Sequence, residues 1–212
     1  MDFQLDAAEV RVLGSLIEKE IATPEYYPLT LNALVNACNQ KSSRNPVVDY
    51  DERTVEEALE QLRQKRLVAT VSGAGMRVPK HRQLLSEALN LGRRELALLC
   101  VLMLRGPQTA GELHARTERL HSFTDIEEVE SCAQRLIEWQ PGPLVARLPV
   151  QPGRKEPRYA HLLSGELPAE DTAPPPRQRE DRFAALETEI AELRRAVEQI
   201  KEQFAEFRRQ FE

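Results

Sequence analysis

The sequence lacks a surplus of positive charge. It carries 29 Lys and Arg against 34 Asp and Glu, for a net charge of -5. That excludes indiscriminate electrostatic binding to nucleic acid. No segment departs from this: residues 1–80 are net -2, 81–168 are neutral and 169–212 are net -3. Aromatic residues make up 5%, too few for a base-stacking platform that would hold single strands. Apolar runs of about 18 residues are missing, so no membrane span and no membrane partner are expected. The opening MDFQLDAAEV has three acids and no base, unlike a secretory signal or a transit peptide, and the expected compartment is the cytoplasm. The three cysteines, Cys38, Cys100 and Cys132, sit far apart among apolar neighbours. Their expected state is buried and reduced.

Catalytic and cofactor signatures are missing too. His81, His114, His121 and His161 have no Cys-x-x-Cys or His-x-x-x-His companions, so no metal site is expected. No Walker-type phosphate loop, dinucleotide fingerprint or nucleophile elbow occurs. Gly73 and Gly75 read as a hairpin turn. His114 and His121 flank Arg116 and Arg119, a set that would suit phosphate, although a solvated loop is the expected reading. No cofactor and no enzymatic activity are expected.

What is present is organised in segments. LPAEDTAPPPRQREDR, between Leu167 and Arg182, is nearly devoid of apolar residues. It cannot bury a core and reads as an extended linker over 166–181. Beyond it, Phe183, Leu186, Ile190, Leu193, Val197, Ile200, Phe204, Phe207 and Phe211 alternate at spacings of 3 and 4. This heptad seam predicts a coiled coil over 182–212. In a parallel pair Arg182 would face Glu187 of the partner helix, and Glu189 would face Arg194. Ile190 and Val197 at a, with Leu186 and Leu193 at d, favour two strands. A parallel homodimer is expected; packing of the same stripe against its own domain is the alternative.

Residues 1–165 repeat themselves. Val10, Leu13, Gly14 and Ile17 recur 86 positions later as Leu96, Leu99, Cys100 and Met103. Thr30-Leu-Asn-Ala-Leu34 is matched by Thr109-Ala-Gly-Glu-Leu113, where Glu112 completes a capping box. Val55, Ala58, Leu59 and Leu62 are matched by Val129, Cys132, Ala133 and Leu136. Both units reach Leu-Val-Ala, at 67–69 and 144–146, and continue into a second extended run, 76–80 and 158–162. Three helices and a two-stranded ribbon make a winged helix. The expected fold is mainly α with small β-hairpins (α+β): winged-helix domain 1 over 1–80, a connecting helix over 81–91 and winged-helix domain 2 over 92–165.

The run Leu31-Asn-Ala-Leu-Val-Asn-Ala-Cys-Asn-Gln-Lys-Ser-Ser-Arg-Asn-Pro-Val47 resembles the signature of the bacterial YceH family. Thr54-Val-Glu-Glu-Ala-Leu59 and Gly75-Met-Arg-Val78 fit it as well. The resemblance covers about residues 5–165 and implies tandem winged helices. It implies no activity, and the tail lies outside it.

In a DNA-binding winged helix the third helix enters the major groove and the wing touches the backbone. The best candidates here are Asn39, Gln40, Lys41, Ser42 and Arg44 in the loop before the third helix, Arg53 on it, and Arg77 and Lys80 in the wing. Cations with amide and hydroxyl donors suit phosphates and base edges, although a helix end held by its own polar side chains explains the loop equally well. The third helix of domain 2 sets Asp125, Glu127, Glu128, Glu130 and Glu138 against Arg135, which repels phosphate. The first expectation is a dimeric protein that binds duplex DNA through domain 1, a transcriptional regulator in that case. The alternative is a scaffold that binds a protein partner, as tandem winged helices do in the chromosome-segregation protein ScpB, an analogy at the level of fold.

Overall fold

Helix starts in this chain are written in side chains that accept from the backbone. In a computed structural model, which describes residues 3–73, 78–150, 153, 154 and 156–165, helix α1 (Ala7–Ala22) opens on a capping box. Asp6 accepts from the Glu9 amide and Glu9 from the Asp6 amide, each at 2.8 Å. Thr30 caps α2 (Leu31–Cys38) and Asp51 caps α3 (Glu52–Gln64). In the second half Thr109 and Glu112 form the box of α6 (Ala110–Thr117), and Asp125 caps α7 (Ile126–Ile137). Each cap stabilises its helix by about 1 kcal/mol. The remaining helices are α4 (Leu85–Ala88) and α5 (Arg93–Arg105), the latter stopped by Gly106 at φ 71°, where a side chain would be strained.

The fold is α+β, with seven α-helices and two small antiparallel sheets among the described residues. After α3, strand β2 (Val68–Val71) pairs with β3 (Lys80–Gln83), Val68 opposite Gln83 and Val71 opposite Lys80. A two-residue strand, β1 (Leu29–Thr30), joins the other edge of β3 and gives the order β1-β3-β2. After α7, β4 (Val145–Arg147) pairs with β5 (Tyr159–His161). A single bridge, Gln108 with Tyr159, stands there in the place of β1. The helix–helix–helix–ribbon order therefore occurs twice. Two boundaries differ from expectation. His81–Gln83 are strand rather than part of a connecting helix, because they bond β2 on one side while His81 pairs with Leu29 on the other. Of the expected helix over 81–91 only α4 remains.

The stripes that define the third helices are buried as their spacing requires: Val55, Ala58, Leu59 and Leu62 on α3, and Val129, Cys132, Ala133 and Leu136 on α7. Helices α1 and α5 are buried almost all round and pack against each other, as a helix at the centre of a core does. One continuous apolar cluster runs through residues 5 to 163. The two halves are also stitched by backbone bonds, Leu5 to the Leu163 carbonyl at 2.8 Å and Asn45 to the Leu104 carbonyl at 2.9 Å. All three cysteines are free and buried. Contacts divide the chain after Leu167. The linker and all nine seam positions, Phe183 to Phe211, lie outside the described residues.

Candidate interaction surfaces

The loop between α2 and α3 is held from beneath by two guanidinium groups. Arg11, buried in α1, donates to the carbonyls of Cys38 and Pro46. Arg44 has a side chain with no exposed surface. It donates to both Glu18 oxygens at 3.0 and 2.7 Å, to the Ala37 carbonyl at 2.8 Å and to Gln40 Oε1 at 3.1 Å. Burial acts to raise the Glu18 carboxyl, but the Arg44 guanidinium, and after it Lys19, hold it below the usual carboxylate range. Arg44 is thus corrected from a phosphate contact to an internal fastener, since a guanidinium that closes a helix end cannot also reach a duplex. Asn39 is likewise engaged, donating to the Tyr50 carbonyl and accepting from the Tyr50 amide, both at 2.8 Å. Gln40 orients Arg44. Of the five loop candidates, Lys41 and Ser42 face solvent.

The exposed face of α3 is acidic. Glu52, Glu56 and Glu60 follow one another at four-residue steps along it, all exposed. Arg53 is fully exposed and paired with Glu57 at 2.8 Å, and Arg63 pairs with Glu60. Lys65 is drawn away to Glu9, whose carboxylate is 2% exposed. Lys80 sits on β3, half-buried, and Arg77 lies outside the described residues. Between α3, the start of α2 and the ribbon lies a cavity of about 630 Å³. Leu31, Leu59, Val78 and Pro79 supply apolar lining, Glu52, Glu56 and Glu60 supply negative charge, and Arg63, paired with Glu60 at 2.9 Å, supplies a positive one. His81 also lines it; burial pulls its pKa down and the nearby Glu56 pulls it back up.

A family model described as "Protein of unknown function, DUF480" matches residues 5–154. The chain belongs to the DUF480 family. It is 59% identical over 209 residues to a UPF0502 protein of Solibacter usitatus, covering 96% of this chain and all of that one. A UPF0502 protein of Geobacter sulfurreducens is 53% identical over 221 residues, covering the whole of both chains, residues 168–212 included. A relative from Aeromonas hydrophila is 43% identical over 97% of this chain. The resemblance to the YceH family read from residues 31–47 agrees with these matches.

In this DUF480 chain the second repeat offers a poorer surface for anions on its third helix. Arg135, the cation of α7, reaches Glu95 at 3.2 Å, where Arg94 also binds at 3.0 Å. That leaves Glu127 and Glu130 exposed without it. Among the described residues no group of three or more His, Cys, Asp or Glu could hold a metal, and no helix is long and apolar enough to cross a membrane. Burial pushes the Cys132 thiol up to about 12 and raises Cys100 further, so both stay protonated and weakly nucleophilic. Sequence reasoning missed a second pocket, lined by Lys19, Ser42, Arg105, Arg116 and Arg119. Its cations come from three separate elements, and only Arg116 and Arg119 had shown as neighbours.

Proposed function

We propose that this protein is a non-enzymatic cytoplasmic scaffold of two tandem winged helices, and that the cavity beside α3 receives a partner segment carrying Lys or Arg among apolar side chains. The observation that carries this reading is the acidic row Glu52, Glu56 and Glu60 beside an apolar wall. A duplex laid on α3 would bring phosphates against that row, and like charges at such distances cost several kcal/mol when water is excluded. A basic amphipathic segment meets the same row with complementary charge and buries its apolar side on Leu59 and Val78. The heptads over residues 182–212 pair two copies, so that each dimer presents two such cavities.

The second reading is duplex DNA binding by domain 1, and it rests on the exposure of Lys41 and Ser42. Fluorescence anisotropy separates the two. The expected result is saturable binding of an amphipathic Lys/Leu peptide, weakened about tenfold or more by Glu56→Lys with Glu60→Lys, with no binding of the Glu/Leu counterpart. Duplex binding that is lost in Lys41→Ala, with no peptide bound, overturns the scaffold in favour of DNA.

A further inference from the structure

The second pocket gathers positive charge in an acidic protein. It is recessed, holds about 210 Å³, and takes its walls from both repeats. Lys19 comes from α1, Ser42 and Ser43 from the α2–α3 loop, Arg105 from the end of α5, Arg116 from α6 and Arg119 from the turn after it. The carboxylate in the lining, Glu18, is already engaged by Arg44 at 2.7 Å and by Lys19 at 3.5 Å. Arg116 has Glu112 at 3.3 Å, but that carboxylate also caps α6 by accepting from the Thr109 amide. Arg105 donates to Ser43 Oγ at 2.7 Å. Neither Arg105 nor Arg119 has a carboxylate partner among the described residues. Burial and then the neighbouring charge of Arg116 both act to lower the Arg105 pKa. Convergent guanidinium groups with a deficit of carboxylate lower their energy by taking up an anion, and the fork of Arg matches the oxygens of a phosphate.

We infer that this pocket binds a small phosphate-bearing molecule, held through Lys19, Arg105, Arg116 and Arg119 and by the hydroxyls of Ser42 and Ser43. Its volume is below the 300 Å³ or more of a typical drug-sized site, which favours a phosphate or pyrophosphate group as the seated part. Val101 and Leu104 in the lining supply an apolar wall for whatever the phosphate is attached to. Because the cations belong to both repeats, the ligand fastens one to the other. The pocket shares no lining residue with the cavity beside α3, so the two sites stand or fall separately.

Titration calorimetry and thermal unfolding of the full chain with inorganic pyrophosphate, at matched ionic strength with chloride as the control, test this. The expected result is one saturable site per chain and a rise in melting temperature that follows occupancy. Lys19→Gln on the first repeat and Arg119→Gln on the second should each weaken binding about tenfold, since each removes one charge-assisted contact. Both are surface changes whose own melting temperatures without ligand verify the fold. Glu56→Lys with Glu60→Lys should leave pyrophosphate binding intact even if no partner peptide is ever bound beside α3. Absence of a saturable site, or binding as tight as wild type in both cation variants, overturns the assignment. Loss in one variant alone overturns the bridging of the repeats. Competition by an unphosphorylated blunt duplex reassigns the pocket to nucleic-acid backbone.

Discussion

Cys100 donates its thiol to the carbonyl of Gly14 at 3.4 Å across an interval of 86 residues, the same 86 that separates α1 from its counterpart α5 in sequence. Each of these residues is the counterpart of the other. When a residue packs on its own equivalent, the two helices present the same face to each other, as surfaces do in an isologous contact. The α1–α5 contact has that character, and Gly14 is what lets the helices approach. A Cβ built there would lie 3.0 Å from Leu104 Cδ2 and 3.3 Å from Met103 Cβ.

A larger side chain at Gly14 should therefore loosen the two repeats together. Gly14→Ala gains about 1 kcal/mol of helix propensity and loses a similar amount to crowding, so little net change is expected. Gly14→Val adds two more carbons against Leu104 and Met103 and should cost about 1–3 kcal/mol. Urea unfolding followed by fluorescence and by circular dichroism checks this. A single shifted transition is expected from one continuous core; two separated transitions would show repeats that fold independently.

Arg44 and Lys41 make a paired test of the loop. Arg44→Ala leaves Glu18 without its main partner and the Ala37 carbonyl without its donor, and should cost about 3–5 kcal/mol. Arg44→Lys should recover little, because one ammonium cannot serve both the carboxylate and the helix end. Lys41→Ala, three residues away and exposed, should stay within about 0.5 kcal/mol. Denaturation midpoints decide it: an Arg44→Ala protein of normal stability would show that the guanidinium is free for an external ligand.

These two residues also mark where the sequence stops being readable. The third helices, the Thr caps and the repeat itself were legible, because each rests on local spacing or on a side chain bonding its own backbone. Arg44 was not. It sits in a stretch without periodicity, where a cation reads as exposed, and its partner Glu18 lies 26 residues upstream. Strand β3 failed for a related reason: His81–Gln83 have no apolar alternation, and their strand character comes from pairing with β2 and β1. The cationic pocket needs α1, α5 and α6 brought together, which no window of sequence contains.

Dimerisation is expected to depend on the heptads alone. Val197→Asp puts an unpaired charge at an a position, which a coiled-coil seam does not tolerate. Light scattering should report a dimer for the wild type and a monomer for the variant, with the circular dichroism of the core retained. A dimer that survives Val197→Asp and also a chain ending at residue 168 would place the contact within residues 1–168.

The last prediction turns on acid. His161 occupies, opposite Val145 in the second ribbon, the place that Gln83 takes opposite Val68 in the first. Burial pulls its pKa from 6.5 down to about 4, and its Nδ1 is enclosed without a partner among the described residues. The folded protein thus holds the neutral imidazole, whereas the unfolded chain takes up a proton below about pH 6.5. Unfolding is therefore favoured by proton uptake: the stability from this site is complete above pH 6.5 and falls as the pH drops toward 4. Between pH 7 and 5 the loss should be about 2 kcal/mol. His81, lowered in the same direction, adds to it. His161→Gln, which installs the residue of the first ribbon, should remove most of the slope while leaving the fold intact at pH 7. Urea midpoints of both proteins at the two pH values measure it; parallel losses in wild type and variant would show that His161 titrates normally and is open to water.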